Sequence, residues 1–542
     1  MAIKERQEAT TRMKSIWEKT AAAALTGLLV LAAAGCGGGD KKAAQPSDGL
    51  LKVGTASFAD SLEPTENYNG WQVIRYAVGE CLTRFDGKMA VRPWLAESWK
   101  VSDDKLSWTF KIRDGVTFSN GNKLTAEAVK KSLERSFKKA KRAAVLFEPE
   151  SFTANGQELT VKTKKPCATL PGLLGDPLFI IVDVTEDGKR DFAKQGPVCT
   201  GPYMITSFSK EKCVVEANPK YRDGKVPYKT MEIAAIDDPH TRAMALHKGK
   251  IDMAVNVGAG DLGLFKDQSK YNISEVDSVS AVLLLQNQNK GKPLADKRIR
   301  EALACALDRR TYSNVLLKGT CISGGPVLPP SAGYDFDSLM QQDKNQFNIE
   351  RAKKLLAEAG WKDTNKDGYV DKDGRNLELE YYFCGGRADL PLFAEATKSD
   401  AKQVGIKVNL KKVDLSTLNK LGTAGGYDVL LTNAMVLAAG DPECFLNRYF
   451  RSNKNGDNLE NASGYSNPEY DSLSAQLAGE FDAAKRREIV IRMEKILMDD
   501  AATIVYGYPR ANLVSRKTVD GARIFPCDFY WLTADIKPAA TK

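Results

Sequence analysis

The sequence predicts an α/β protein with mixed sheets, divided into two or more lobes. Three observations lead there. Helix and strand patterns alternate from about Leu50 to the C-terminus without an internal repeat, as α/β architecture requires. No low-complexity stretch interrupts them. The chain is also too long for one core, since single cores stop growing at about 250–300 residues.

The first element precedes the fold. Thr20–Asp40 reads TAAAALTGLLVLAAAGCGGGD, and its apolar part, Ala21–Ala34, holds 14 residues. A spanning helix needs about 20, whereas 14 suits the h-region of an export signal. Lys14 and Lys19 form a basic n-region, and Ala33, Ala34 and Gly35 set small residues before Cys36. The run resembles a bacterial lipoprotein signal, with Ala33 where Leu is usual. An ordinary secretory signal with a chance cysteine is the alternative. The expectation is a signal over residues 1–35, a flexible tether over 36–49 and a lipid on Cys36 as membrane anchor. That places the chain in the cell envelope, in the periplasm or at the surface. Cleavage would leave 507 residues and lower the net charge from +9 to +7. The charges are dispersed and imply no nucleic-acid partner.

The elements then follow in order. Leu106–Gly121, LSWTFKIRDGVTFSNG, alternates Trp108, Phe110 and Ile112, turns at Asp114-Gly115 and continues with Val116 and Phe118, a hairpin pattern. Thr125 caps a helix that aligns Val129, Leu133 and Phe137. Asn348 opens a helix with Ala352, Leu355, Leu356 and Ala359 on one face and Gly360 as its stop. Strands are expected at Glu378–Phe383, Lys407–Lys411 and Asp428–Thr432, and a long helix begins at Asp482. Asp363–Asp371 matches the first nine positions of a calcium loop, but the twelfth, where a bidentate Glu belongs, is Gly374. A structural turn is the expectation, with no metal site. Nine cysteines follow Cys36, none in a CxxC pair. Their pairing is not readable from sequence, and Cys305, inside an apolar helix pattern, is expected to be buried.

The chemistry of an enzyme is missing. Only His240 and His247 occur, and neither GxSxG nor HExxH is present. Seven residues apart on a helix, the two histidines are separated by about 10 Å of rise, too far to share one metal ion. No cofactor is implied. A binding protein is the expectation, with an exported enzyme or a structural lipoprotein as the alternatives.

Several motifs then converge. Leu95–Gly121, Thr200-Gly-Pro-Tyr203, Asp238–Arg242 with Gly249–Asp252, Arg298–Asp308 (RIREALACALD) and Ala359-Gly-Trp361 occur in this order. Together they closely resemble the family 5 extracellular solute-binding proteins, the dipeptide-, oligopeptide- and nickel-binding receptors of ABC importers. The resemblance implies a two-lobed periplasmic-binding-protein-like fold with hinge strands. Lobe I would cover 50–280 with 511–542 returning to it, and lobe II 281–510. It further implies a monomer that captures a short peptide or an anionic, metal-chelate ligand and delivers it to permease and ATPase subunits. The peptide branch holds the ligand's amine with an Asp that here falls on Ala438, leaving Glu443 or Asp176 as substitutes. The nickel branch holds chelator carboxylates with two arginines. One falls on Arg142 and the other, near Asp176, is absent. Its remaining contacts fall on Asn67, Gln72, Val145, Val436 and Gly440. The expected ligand set is therefore Asn67, Tyr68, Gln72, Arg142, Asp176, Val436, Gly440 and Asp441.

Overall fold

Side-chain caps fix the helix starts that the sequence marks. The Thr125 hydroxyl accepts from the Ala128 N–H at 3.1 Å and opens Ala126–Lys139. Asn348 accepts from the Arg351 N–H at 2.9 Å and opens Ile349–Glu358. Asp482 accepts from the Lys485 N–H at 2.9 Å and opens Ala483–Asp499. Each cap satisfies a donor that the first turn of a helix leaves without a partner. This computed structural model describes residues 49–540, other than 57–59, 386, 388, 455, 457 and 459. The expected export signal, Cys36 and the expected tether up to residue 48 lie outside the described residues.

The strand at Ser107–Ile112 forms, but not in the expected hairpin. It pairs antiparallel with Ala96–Val101 on one edge and with Glu158–Thr163 on the other. Val116 and Phe118 follow the turn at Gly115 (φ 74°) and enter the core as single side chains. Alternation identifies the two faces of a strand, not its neighbours. With Pro149–Asn155 these strands make a separate four-stranded sheet. The helix Ala126–Lys139 covers it, and Val129 and Leu133 join Phe110, Leu159 and Val161 in one buried cluster.

The large sheet has twelve strands, ten of them in one continuous path. In spatial order these are Lys407–Val413, Glu378–Cys384, Val429–Met435, Ser280–Gln286, Thr503–Arg516, Met253–Val255, Leu50–Thr55, Thr230–Ala235, Lys212–Ala217 and Tyr203–Phe208. Glu378–Cys384 runs parallel to both of its neighbours, as crossover connections through helices require. Thr503–Arg516 serves both halves. Residues 503–507 pair with Ser280–Gln286, whereas 510–516 pair with Tyr271–Asp277.

Two smaller expectations also meet the structure. Cys305 is fully buried, and the nine cysteines from Cys81 to Cys527 are all free thiols. In the Asp363–Asp371 loop the carboxylates serve the turn itself. Asp363 accepts from the Gly368 N–H, Asp367 from the Tyr369 N–H, and Asp371 from the N–H and hydroxyl of Thr364. A two-residue hairpin, Asp371–Lys372 with Arg375–Asn376, stands where a calcium loop would lead into a helix.

Candidate ligand cleft

The two halves of the large sheet are joined where the chain crosses between them. One crossing is Thr503–Arg516 and the other is the turn from Asp277 to Ser280. At the second, the Val279 N–H donates to the Pro526 carbonyl and the Val436 N–H donates to the Val279 carbonyl. The end of the strand Val429–Met435 and the C-terminal segment therefore flank the crossing from opposite halves.

Aromatic rings line one wall. The half-exposed Tyr68 meets Trp71 edge-on at 5.8 Å, and Trp71 meets Phe529 edge-on at 5.2 Å. The Arg75 guanidinium lies 5.0 Å from the Trp71 ring and 4.2 Å from Trp531, within cation–π range. The facing wall comes from the helix Glu443–Phe450, which carries Cys444, Arg448 and Tyr449, and from Arg387 with Asp389, the first residue of the helix Asp389–Gln403. The walls interact directly. The Tyr68 hydroxyl acts on both Arg448 and Tyr449, and Arg387 feels the Asp528 carboxylate. Burial pushes the Cys444 thiol up to about 11, with Arg448 opposing the rise and Asp176 from the first wall adding to it.

Every guanidinium of this cleft already has a carboxylate. Arg75 pairs with Asp528 at 2.6 Å, Arg142 with Asp176 at 3.0 Å, Arg387 with Asp389 at 2.9 Å, and Arg448 with Glu460. The lining is thus electrically alternating, without net charge among these groups. Buried polar atoms beside it, among them Trp71 Nε1, Gln72 Oε1 and Arg142 Nε, have no hydrogen-bond partner among the described residues. A buried donor or acceptor left unpaired costs about 1–3 kcal/mol, so this wall is suited to a polar ligand. Among the described residues no group of three or more His, Cys, Asp and Glu is placed to hold a metal ion.

The sequence-derived set divides on this geometry. Tyr68, Arg142 and Asp176 come together, with Arg142 stacked 4.7 Å from the Tyr68 ring and its fork directed at Asp176, and Gln72 lies half-buried on the adjoining helix Gly70–Arg75. Asn67 is exposed beside them at a φ of 49°. Val436 has no exposed surface and belongs to the core. Gly440, at φ 72°, lies where two backbones approach closely: a Cβ there would sit 2.8 Å from the Met89 carbonyl oxygen. Asp441 is held by Arg486 through both carboxylate oxygens and caps the Glu443 N–H. Trp71, Arg75, Arg387, Arg448, Tyr449, Asp528, Phe529 and Trp531 are cleft residues that sequence reasoning misses. The aromatic clusters NYNGW and CDFYW were the available signal, but aromatic residues in such runs are more often core.

The family model described as "Bacterial extracellular solute-binding proteins, family 5 Middle" matches residues 90–457. The probable D,D-dipeptide-binding periplasmic protein DdpA of Escherichia coli K12 is 30% identical over 496 residues, 88% of this chain and 92% of that one. The nickel-binding protein NikA of Staphylococcus aureus is 26% identical over 458 residues, 84% of this chain and 88% of its own. The crystal structure of S. aureus NikA with Ni(L-His)2 superposes with a TM-score of 0.77 at 25% identity, covering 90% of this chain and all of that one. The oligopeptide-binding protein AppA of Bacillus subtilis, solved with a nonapeptide, gives a TM-score of 0.77 at 23% identity over 92% of this chain and supports the fold alone.

Proposed function

Because this chain belongs to the family 5 bacterial extracellular solute-binding proteins, we propose that its cleft takes a zwitterionic solute, in the first place a short peptide. As a family member it is the substrate-binding receptor of an ABC importer of the peptide and nickel class, with the two-lobed α/β fold of that class. Closure of two lobes around ligand is the motion such a fold supports. The crossings at 277–280 and 507–510 are our assignment for its hinges. They divide the chain into lobe I, 50–280 with 511–542, and lobe II, 281–510. The receptor performs no covalent chemistry on its ligand and acts as a monomer beside its permease and ATPase subunits.

One observation carries the ligand assignment: each cleft arginine is neutralised by a carboxylate of the chain. A free polyanion would have to displace those carboxylates, whereas a zwitterion offers its ammonium to one member of a pair and its carboxylate to the other. Asp176, its side chain 5% exposed and already bound to the Leu178 N–H, is our assignment for the ammonium site. Arg142, Arg448 and the Tyr68 ring take the rest, with Asn67 and Gln72 at the margin. A second reading, an anionic metal chelate held by Arg142, has support from the similarity to NikA.

One substitution separates the two readings. Asp176→Asn removes the ammonium acceptor and at the same time frees Arg142. Loss of a buried charge-assisted bond typically costs about 2–5 kcal/mol, or roughly 30-fold and more in affinity. Calorimetry with a dipeptide panel should show that loss, and N-acetylation of the peptides should abolish binding to the parent protein. An amino-acid chelate of nickel that binds, and binds more tightly to Asp176→Asn, overturns the zwitterion reading in favour of the chelate.

Attachment to the membrane is tested separately. With lipid on Cys36, Cys36→Ser should move the protein from the membrane fraction to the soluble fraction, because stable anchoring depends on the acyl chains. Retention of the variant in membranes after a high-salt wash would place the anchor elsewhere.

A further inference from the structure

A second cavity, of about 740 Å³, lies between the hairpin Thr83–Phe85/Val91–Pro93, the turn at Tyr221–Val226 and the C-terminal segment at Arg523–Asp535. Its residues fall between 74 and 226 or between 523 and 535, on one side of both crossings, so its shape is independent of lobe closure. Its electrostatics are the opposite of those in the cleft. Six cations and four acids line it. The four acids are all engaged within the chain. Glu80, 1% exposed, takes the Arg222 fork at 2.6 and 2.8 Å together with the Thr200 hydroxyl. Asp223 flanks Arg222, Asp86 holds Arg92, and Asp535 holds Arg523.

Arg84, Arg113 and Lys225 remain. None is within ion-pair distance of a carboxylate among the described residues; Arg113 feels the Glu97 carboxylate, which Lys111 holds at 2.9 Å, and its side chain donates from Nε to the Trp94 carbonyl at 3.2 Å. Three cations without an ion-pair partner around one recess repel one another, and a concave wall of low dielectric concentrates their field. The volume lies within the range of small-molecule sites, about 300–1,000 Å³.

We propose that this cavity is a second ligand site, for a small polyanion bearing phosphate, gripped by Arg84, Arg113 and Lys225. Guanidinium forks match phosphate oxygens two at a time, and an ammonium adds a point charge. The phosphate could belong to a free solute or to the headgroup of an anionic lipid, and the two sources are separable by experiment.

The test is calorimetry of the full chain in detergent with inorganic tripolyphosphate, alongside flotation with vesicles of pure phosphatidylcholine or of phosphatidylcholine with phosphatidylglycerol, where binding is read as the excess on the anionic vesicles, since an acyl anchor would carry the chain to either. Tripolyphosphate is expected to bind one to one and to weaken as salt rises. The variant Arg84→Gln/Arg113→Gln/Lys225→Gln is expected to lose at least tenfold in affinity, and Asp176→Asn in the cleft to lose nothing. All three substituted side chains lie at the surface or half-buried without an ion-pair partner, so a melting temperature near the parent's is the check on folding. Binding to phosphatidylglycerol vesicles alone, lost in the triple variant, assigns the site to a headgroup. If neither probe binds, or the triple variant binds both as the parent does, the proposal is wrong.

Discussion

Arg135→Met is expected to destabilise the protein by about 3–5 kcal/mol, the range for removing one partner of a buried ion pair. Arg135 and Glu63 are 6% and 8% exposed and meet fork to fork at 2.8 and 2.6 Å. Arg135 also donates to Asp187 and stacks 4.9 Å from the Phe192 ring, and Glu63 further accepts from the N–H and hydroxyl of Thr65. Methionine retains most of the packing of the arginine stem, so the loss reports on Glu63, left charged in the interior with only Thr65 and the half-exposed Lys139 ammonium 3.7 Å away. Replacing both partners, Arg135→Met with Glu63→Leu, should recover a large part of it. The pH dependence has a definite sign. Burial alone would raise the Glu63 carboxyl, but the bonds from Arg135 and Thr65 outweigh it and hold the carboxyl at about 2, below its usual 4.5. Its contribution, about 3 kcal/mol, is therefore complete above pH 4.5 and lost as pH falls towards 2. Urea denaturation between pH 2 and 7 measures it, and a variant with the acid profile of the parent would refute the assignment. The segment Ser61–Glu66 leads directly to Tyr68 and Trp71, so the same variant should weaken ligand binding.

Glu494→Gln is expected to act in the opposite direction. Glu494 is 1% exposed on the helix Ala483–Asp499, with one oxygen accepting from the Leu328 N–H at 2.8 Å and the other unpartnered. Burial pushes its carboxyl up to about 8, against the bonds from Leu328 and Val327, and Tyr470 and Tyr508 face it without supplying positive charge. The folded state therefore holds a proton that the unfolded chain releases between pH 4.5 and 8. Stability falls with rising pH across that window, by on the order of 4 kcal/mol in total. Glutamine cannot ionise, so the variant should match the parent near pH 5 and exceed it by several kcal/mol above pH 8. Thermal melts at the two pH values decide the matter, and parallel profiles would show that Glu494 is charged throughout. The position bears on function. The Gly325 N–H donates to the Tyr508 hydroxyl at 3.1 Å, and that hydroxyl donates to the Pro326 carbonyl. The loop held by Glu494 thus braces the crossing strand.

Several features were legible in the sequence because their causes are local. Thr125, Asn348 and Asp482 cap the helices they were assigned to, since a cap and its N–H lie two or three residues apart. The strands near 378, 407 and 428 follow from apolar runs between turn signals. The order of motifs along the chain was enough to identify the family.

The site was legible only in part. Arg142 and Asp176 were each singled out, but nothing in the sequence tells that residues 34 apart neutralise one another. Arg448, Arg387 and Asp528 carried no local signal, because their meaning arises when two halves of the chain face each other across the crossings. The burial of Val436 just beyond the strand Val429–Met435, and the close backbone approach at Gly440, also arise from packing against distant segments. The partner of Ser107–Ile112 likewise came from strands on either side in space, not from the next turn. The sequence by itself determined the fold class, the helix boundaries and the family. Only the tertiary structure decided which charges are neutralised and which are left over, because a charge is balanced by what lies within a few ångströms in space, and chain separation sets no limit on that.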